Sequence, residues 1–266
     1  MEFKRWPQSL GIALAALALC AAPAWVGAQE PAPVEPAQKL IQVKQDFETR
    51  QAELRKGFRE VEDEEERNAL YEEFKQLVKQ AVRDAREVAE SVPGTETAAE
   101  GWSFVLRYGP QAGNQEMTRK ALDHLIEKHI ASPVWKELSS MVGDLGQMGL
   151  GDEKTEKALR TLIEKSPLKS VQAAAMFGLG TFLAEQKSEG KRAEGLAFLR
   201  RLGKDFADDK EAKEYVERAE GTIFQLEKLQ VGMPCPDFEA SDENGAKFKL
   251  SDYKGKVVLI DFWGYW

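Results

Sequence analysis

The spacing of apolar residues in the first third of the chain is the strongest constraint on its fold. From residue 70 to residue 88 they recur at steps of four and three, which predicts a helix with one apolar face. The series consists of Leu70, Phe74, Leu77, Ala81, Ala85 and Val88. A similar series runs from Leu40 to Val61, and the acidic run Glu62–Glu66 separates the two. Residues 38–92 are therefore predicted to form a long helical hairpin, or one long helix if the acidic run stays helical.

Residues 95–229 are predicted to form a succession of further helices. The predicted breaks are Gly109-Pro110, Ser132-Pro133, Gly149-Leu150-Gly151, Ser166-Pro167, Glu189-Gly190 and Asp208-Asp209. In the unit from Ser170 to Phe206, small residues on one predicted helix lie opposite Leu and Phe residues on the next helix, and a short turn joins the two. This pattern resembles the tetratricopeptide class of helix-turn-helix repeats, although it does not recur at a fixed period. The alternative is an ordinary helical domain without a peptide groove.

The helical region carries no recognisable catalytic constellation. It has no His-centred triad, glycine-rich phosphate loop or metal-ligand spacing, so we predict no metal and no cofactor. The chain's two histidines, His124 and His129, lie five residues apart, which points them to different faces of a helix. Four aromatic residues could line a groove but are predicted to fill the core: Trp102, Phe104, Tyr108 and Trp135. The region is predicted to act, if at all, by binding a protein partner.

The charge of the chain excludes some classes of partner. Its formal net charge is −8 and its isoelectric point is about 5.2, with no basic stripe. An acidic chain lacks the positive surface that binds nucleic acid or an anionic membrane. We therefore predict neither partner.

The N-terminus is typical of an export signal. Lys4 and Arg5 precede an apolar stretch of about fifteen residues, which is shorter than the roughly twenty residues that a spanning helix needs. We predict a signal peptide over residues 1–28, cleaved after Ala28, and a proline-rich linker over residues 29–37. A lipoprotein signal at Cys20 is disfavoured because Leu19 stands where a small residue is expected. The mature protein is predicted to be secreted or periplasmic, with no membrane segment after cleavage.

The last segment, residues 231–266, has a different character. Pro234 and Pro236 exclude a helix, and Glu243-Asn244-Gly245 between alternating segments predicts a β-hairpin. Residues 251–255 predict a short turn, or one helical turn capped by Ser251. The β-branched and aromatic residues 257–263 predict a strand buried on both faces.

The order of these motifs resembles the thioredoxin-like proteins of the TlpA/ResA and redoxin (AhpC/TSA) group. The motifs are Gly-x-Pro-x-Pro-x-Phe, an Asn-Gly hairpin, Leu-Ser-Asp-Tyr-x-Gly-Lys and Val-Val-Leu-Ile-Asp-Phe-Trp. The ending Phe262-Trp263-x-x-Trp266 favours the thioredoxin-like branch over true peroxiredoxins. The predicted fold is therefore mostly α, and the resemblance implies that the chain ends in the N-terminal part of a thioredoxin-like α/β domain, with the hairpin and the first core strand.

The resemblance also implies roles for individual residues. Asp261 corresponds to a buried acid that accepts a proton from the resolving thiol, which fits a desolvated carboxyl of raised pKa. Trp266 corresponds to the aromatic beside the reactive pair, and Trp263 supports the site. Alternatively, Asp261 is a structural acid at the strand end and the tryptophans are core residues. The implied partners are protein thiols or disulfides and an unknown reductant.

Neither cysteine of the chain occupies the reactive position that the resemblance implies. In the family, the first Cys of a Cys-x-x-Cys motif follows the residue that corresponds to Trp266. Cys20 lies in the predicted signal peptide, and Cys235 lies at a variable position, where it is a candidate accessory thiol. The chain as given is therefore expected to lack thiol–disulfide exchange activity. One hypothesis is that the next codon is UGA, read as selenocysteine; the other is an incomplete gene record.

Two function classes follow from the sequence. The first is an exported thiol–disulfide oxidoreductase with antioxidant-type activity, whose helical module recruits substrates. The second is a helical interaction protein with an inactive redox-domain remnant.

Overall fold

A computed structural model describes residues 35–261 and Gly264. The predicted signal peptide, most of the predicted linker, Trp263 and Trp266 lie outside the described residues.

The described part of the chain is mostly α, with ten α-helices and one two-stranded antiparallel sheet. The helices are α1 (Pro36–Glu60), α2 (Glu64–Ser91), α3 (Glu96–Tyr108), α4 (Gln115–Lys128), α5 (Val134–Glu137), α6 (Ser139–Gly143), α7 (Asp152–Lys165), α8 (Lys169–Ala184), α9 (Glu189–Asp205) and α10 (Lys213–Lys228). The strands are β1 (Glu239–Ser241) and β2 (Lys247–Lys249), and short 3₁₀ helices span Leu145–Met148 and Leu250–Tyr253. This is the predicted fold class. None of the described helices combines the length and apolar character needed to cross a membrane.

Helices α1 and α2 pack against each other and are joined by residues 61–63. The acidic run supplies the start of α2: the side chain of Asp63 accepts a hydrogen bond from the Glu66 N–H at 2.9 Å. Glu64 to Glu66 fill the first turn, where carboxylates interact favourably with the helix dipole. Because residues 61–63 are not helical, the alternative of one long helix is wrong. Helix α1 begins at Pro36, inside the predicted linker, since proline is well tolerated in the first helical turn.

Helix α8 lies at the centre of the helical region, where it packs against α6, α7, α9 and α10. Residues 173–180 are all buried, so this helix is covered on every side and not along a single apolar face. Glycines allow the neighbouring helices to approach closely. A Cβ added at Gly178 would lie 2.8 Å from the Val142 carbonyl oxygen, and one at Gly195 would lie 2.5 Å from the Ala184 nitrogen.

The helix breaks agree with the sequence prediction at five of the six positions. The exception is Glu189-Gly190, which forms the first turn of α9 instead of ending a helix. Glycine is tolerated there because the first N–H groups of a helix have no partner within the helix.

The aromatic residues of the helical region belong mainly to its core. Trp102, Phe104 and Trp135 are buried, and the Trp135 indole N–H donates to the His129 carbonyl oxygen at 3.0 Å. Nearly all of the buried apolar residues form one cluster, which runs along the chain from Leu40 to Ala219. The core of the described chain therefore lies entirely within the helical region.

Candidate functional site

The segment with the thioredoxin-like motifs follows α10, and its described residues contribute no side chain to the core. None of residues 231–261 is buried. Within the described residues, no hydrogen bond or salt bridge joins residues 234–261 to the helices. The segment is held by its own local contacts.

The predicted hairpin is present. Strands β1 and β2 pair with Glu239 opposite Lys249, Ala240 opposite Phe248 and Ser241 opposite Lys247. The Lys247 ammonium also lies 2.9 Å from the Glu239 carboxylate, which is a solvent-exposed ion pair of modest value.

A five-residue loop, Asp242–Ala246, connects the two strands. Gly245 has a φ of +81°, a conformation that favours glycine because it lacks a Cβ. The Asp242 carboxylate accepts hydrogen bonds from the N–H groups of Asn244 at 2.9 Å and Ala246 at 2.8 Å. The Asn-Gly signal therefore identified the turn correctly.

The predicted turn after β2 is the 3₁₀ helix Leu250–Tyr253, but its cap differs from the prediction. The Asp252 carboxylate accepts the Lys249 N–H at 2.9 Å, so Ser251 lies inside the turn and does not cap it. The Ser251 hydroxyl and N–H instead both donate to the Asp237 carboxylate, each at 2.8 Å. These bonds, led by the hydroxyl, lower the pKa of Asp237.

The Asp237–Ser251 pair was not predicted from the sequence, although a signal existed. The two residues lie two positions beyond the pair Glu239–Lys249 in the same hairpin register. Once Asn244-Gly245 fixes the turn, register alone places Asp237 opposite Ser251.

Cys235 is exposed and has no disulfide partner among the described residues. It lines an open cleft of about 420 Å³ together with Asp237, Ser251, Tyr253 and Lys254. The thiol is thus accessible to solvent, and its accessory role stays a prediction.

Residues 257–261 are neither helix nor strand in the structure, although the sequence predicts a buried strand. Val257 and Leu259 are more than 90% exposed, whereas Val258 and Ile260 are about 40% exposed. This alternation has the period of an extended chain. A strand also needs a hydrogen-bonding neighbour, which none of the described residues supplies.

Asp261 is exposed in the structure, so the buried environment expected for its carboxyl is not seen. Its role as a proton acceptor stays a prediction. Trp263 and Trp266, the predicted supports of the reactive pair, lie outside the described residues.

The two histidines lie in different environments. The His124 ring stacks on Trp102 with 4.3 Å between ring centroids and an angle of 8°. His129 follows the end of α4 and is buried, and this burial lowers its pKa. In the part of the chain that the structure describes, no group of three or more His, Cys, Asp or Glu side chains is arranged to bind a metal.

Comparison with known proteins finds similarity over one short stretch. The thiol-disulfide oxidoreductase ResA of Bacillus thuringiensis subsp. konkukian is 40% identical over 47 residues, which is 18% of this chain and 27% of that protein. ResA of Geobacillus kaustophilus is 47% identical over 47 residues, covering 17% of this chain and 27% of that protein. ResA of Bacillus subtilis is 45% identical over 40 residues, covering 15% and 22%.

The chain thus spans about a quarter of the length of the curated relatives that it matches. No protein-family model matches it, and no solved structure gives a significant match. The relatives belong to the thioredoxin-like class that the motif order of residues 231–266 indicates. The chain therefore combines a helical region with a stretch similar to thiol-disulfide oxidoreductases named ResA.

Proposed function

We propose that this protein is an exported thioredoxin-like thiol–disulfide oxidoreductase, in which residues 231–266 form the opening part of the catalytic domain. The observation that carries the proposal is the 40–47% identity to ResA proteins, together with a hairpin and turn at the expected places. The substrates would be protein thiols or disulfides. The reactive pair would belong to the part of the relatives that this chain does not span.

In this proposal, Asp261 serves as the proton acceptor for the resolving thiol. Its carboxyl follows the apolar residues Val257–Ile260, which are exposed here and would be buried by the rest of a thioredoxin-like sheet. A carboxyl buried in this way beside the reactive pair would suit a group that takes a proton from a thiol. Trp263 and Trp266 would then pack beside the reactive pair.

The helical region would position substrates for the redox domain. Its core is independent of residues 231–261, which fits a separate module. Removal of the helical region tests how it works. Loss of substrate preference would indicate a tetratricopeptide-like binding array, and retained preference would indicate a plain helical spacer.

Disulfide reduction by the protein purified from its native cells tests the proposal. We expect turnover of a protein disulfide, and we expect Asp261→Asn to lower kcat/KM by about a hundredfold, as loss of a proton acceptor does. Glu243→Gln, which changes an exposed carboxyl in the hairpin loop, is the matched control and should leave turnover unchanged. Equal activity of the Asp261 variant and the control would contradict the assigned role.

A second candidate function is a helical interaction protein with a redox remnant. The observation that favours it is the absence of any buried side chain in residues 231–261. The mass of the protein isolated from native cells separates the two. A polypeptide extended beyond Trp266 by a thioredoxin-like sequence with a Cys or selenocysteine pair supports the enzyme. A mass equal to that of a polypeptide whose last residue is Trp266 favours the interaction protein with a redox remnant.

A further inference from the structure

The hairpin loop contains the one asparagine of the chain that is followed by glycine. The chain has three asparagines, Asn68, Asn114 and Asn244, and their following residues are Ala, Gln and Gly. Because glycine has no Cβ, its backbone nitrogen can approach the side chain of the preceding residue with little hindrance. Asparagine is also among the residues most prone to chemical damage over time.

The three asparagines occupy different environments. Asn68 lies within α2, and the Asn114 side chain caps α4 by accepting the Met117 N–H at 3.0 Å. Asn244 is exposed, and its side chain makes no hydrogen bond with any described residue. A side chain without partners is free to rotate toward its own backbone.

The hairpin that holds Asn244 offers little protection. In the closed loop the Gly245 N–H donates to the Asp242 carbonyl oxygen at 3.0 Å, which keeps that nitrogen occupied. However, each strand has three residues and none of them is buried. A two-stranded hairpin without a packed face is at most marginally stable in water. Local opening therefore requires little free energy, and it releases the Gly245 nitrogen.

We infer that Asn244 is a site of spontaneous deamidation in the folded protein. The Gly245 nitrogen loses its proton to solvent and attacks the Asn244 Cγ, so that a new C–N bond closes a five-membered succinimide ring. The Cγ–Nδ2 bond breaks and ammonia leaves. Water then opens the ring at either carbonyl, which yields aspartate or isoaspartate at position 244. The net reaction consumes one water and releases one ammonia, with no oxidant or reductant.

The modification alters the hairpin in two ways. Aspartate places a third carboxylate beside those of Asp242 and Glu243, which increases repulsion within the loop. Isoaspartate adds a methylene to the main chain, which displaces the loop N–H groups that donate to Asp242. Because strand register depends on the turn, the pairing of Ser241 with Lys247 is lost.

Peptide mass mapping of the whole chain, incubated at body temperature, tests this inference. Deamidation at Asn244 should proceed at least about tenfold faster than at Asn68 or Asn114, which corresponds to about 1.4 kcal/mol in the barrier. It should also accelerate in mildly alkaline buffer. The same chain unfolded in guanidinium provides the reference. The deamidation rate at Asn244 in the folded chain should lie within about tenfold of the rate in the unfolded chain.

Two outcomes would overturn the inference. One is a deamidation rate at Asn244 in the folded chain that is no higher than the rates at the two other asparagines. The other is a strong suppression of the Asn244 rate on folding, since the hairpin would then be protective. Asn244→Gln, whose longer side chain disfavours ring closure, should remove the modified species. These rates do not depend on redox activity, so their outcome leaves the proposed function unaffected.

Discussion

Asp237 accepts two hydrogen bonds from Ser251, one from the backbone N–H and one from the hydroxyl, each at 2.8 Å. This pair ties the chain before β1 to the turn after β2. It extends the hairpin beyond its last backbone pairs and is a defined side-chain link in the thioredoxin-like segment.

The first prediction concerns the ionisation of Asp237. Its pKa is lowered in the folded chain, so the link contributes stability above the pKa of an unfolded aspartate and loses it as the pH falls through the folded value. Ser251→Ala removes the hydroxyl donor and should raise the pKa of Asp237 toward its usual value. An NMR titration of the carboxyl measures it, with Ser241→Ala on β1 as the control. An unchanged pKa in Ser251→Ala would contradict the assignment.

The second prediction concerns His129. Burial lowers its pKa, so the folded state binds the proton less well than the unfolded chain. Its contribution to stability is therefore present above the unfolded pKa and is lost as the pH falls below it. Urea unfolding should show a loss of stability between neutral and mildly acidic pH that is smaller in His129→Gln. The charge of His124 also lowers the pKa of His129, so His124→Gln should weaken the pH dependence less than His129→Gln does.

The third prediction uses two glycines of helix α9. A Cβ at Gly195 would meet the backbone of α8 at 2.5 Å, whereas one at Gly203 would meet nothing within 4 Å. Gly195→Ala should lower the free energy of unfolding by about 1–3 kcal/mol through overpacking. Gly203→Ala should raise it by about 0.5–1 kcal/mol, because alanine has the better helix propensity. Chemical denaturation measures both, and equal effects would contradict the close helix contact.

The fourth prediction is that the helical region folds without the thioredoxin-like segment. The free energy of unfolding of a chain that ends at Gln230 should lie within about 0.5 kcal/mol of that of the full chain, because none of the described residues 231–261 is buried. Trp135→Ala is the contrasting change, because it deletes a fully buried indole and its hydrogen bond to the His129 carbonyl oxygen. This substitution should lower the free energy of unfolding by about 3–5 kcal/mol. A large loss of stability on truncation would show that residues 231–266 pack on the helices.

The sequence alone determined the local structure of this protein. Four-and-three spacing predicted α2, and Asn244-Gly245 predicted the hairpin, because each depends on the local preferences of neighbouring residues. The motif order of residues 231–266 also indicated the class of the curated relatives.

Only the tertiary structure decided which surfaces are buried. Helix α8 is covered by several helices, which its own sequence could not specify because the covering residues come from elsewhere in the chain. The same reason explains residues 257–261: their β-branched side chains favour a strand, but a strand needs a partner that the described chain does not supply. Local propensity favours one backbone conformation for a segment, and the rest of the fold determines whether other residues bury its side chains and pair with its backbone.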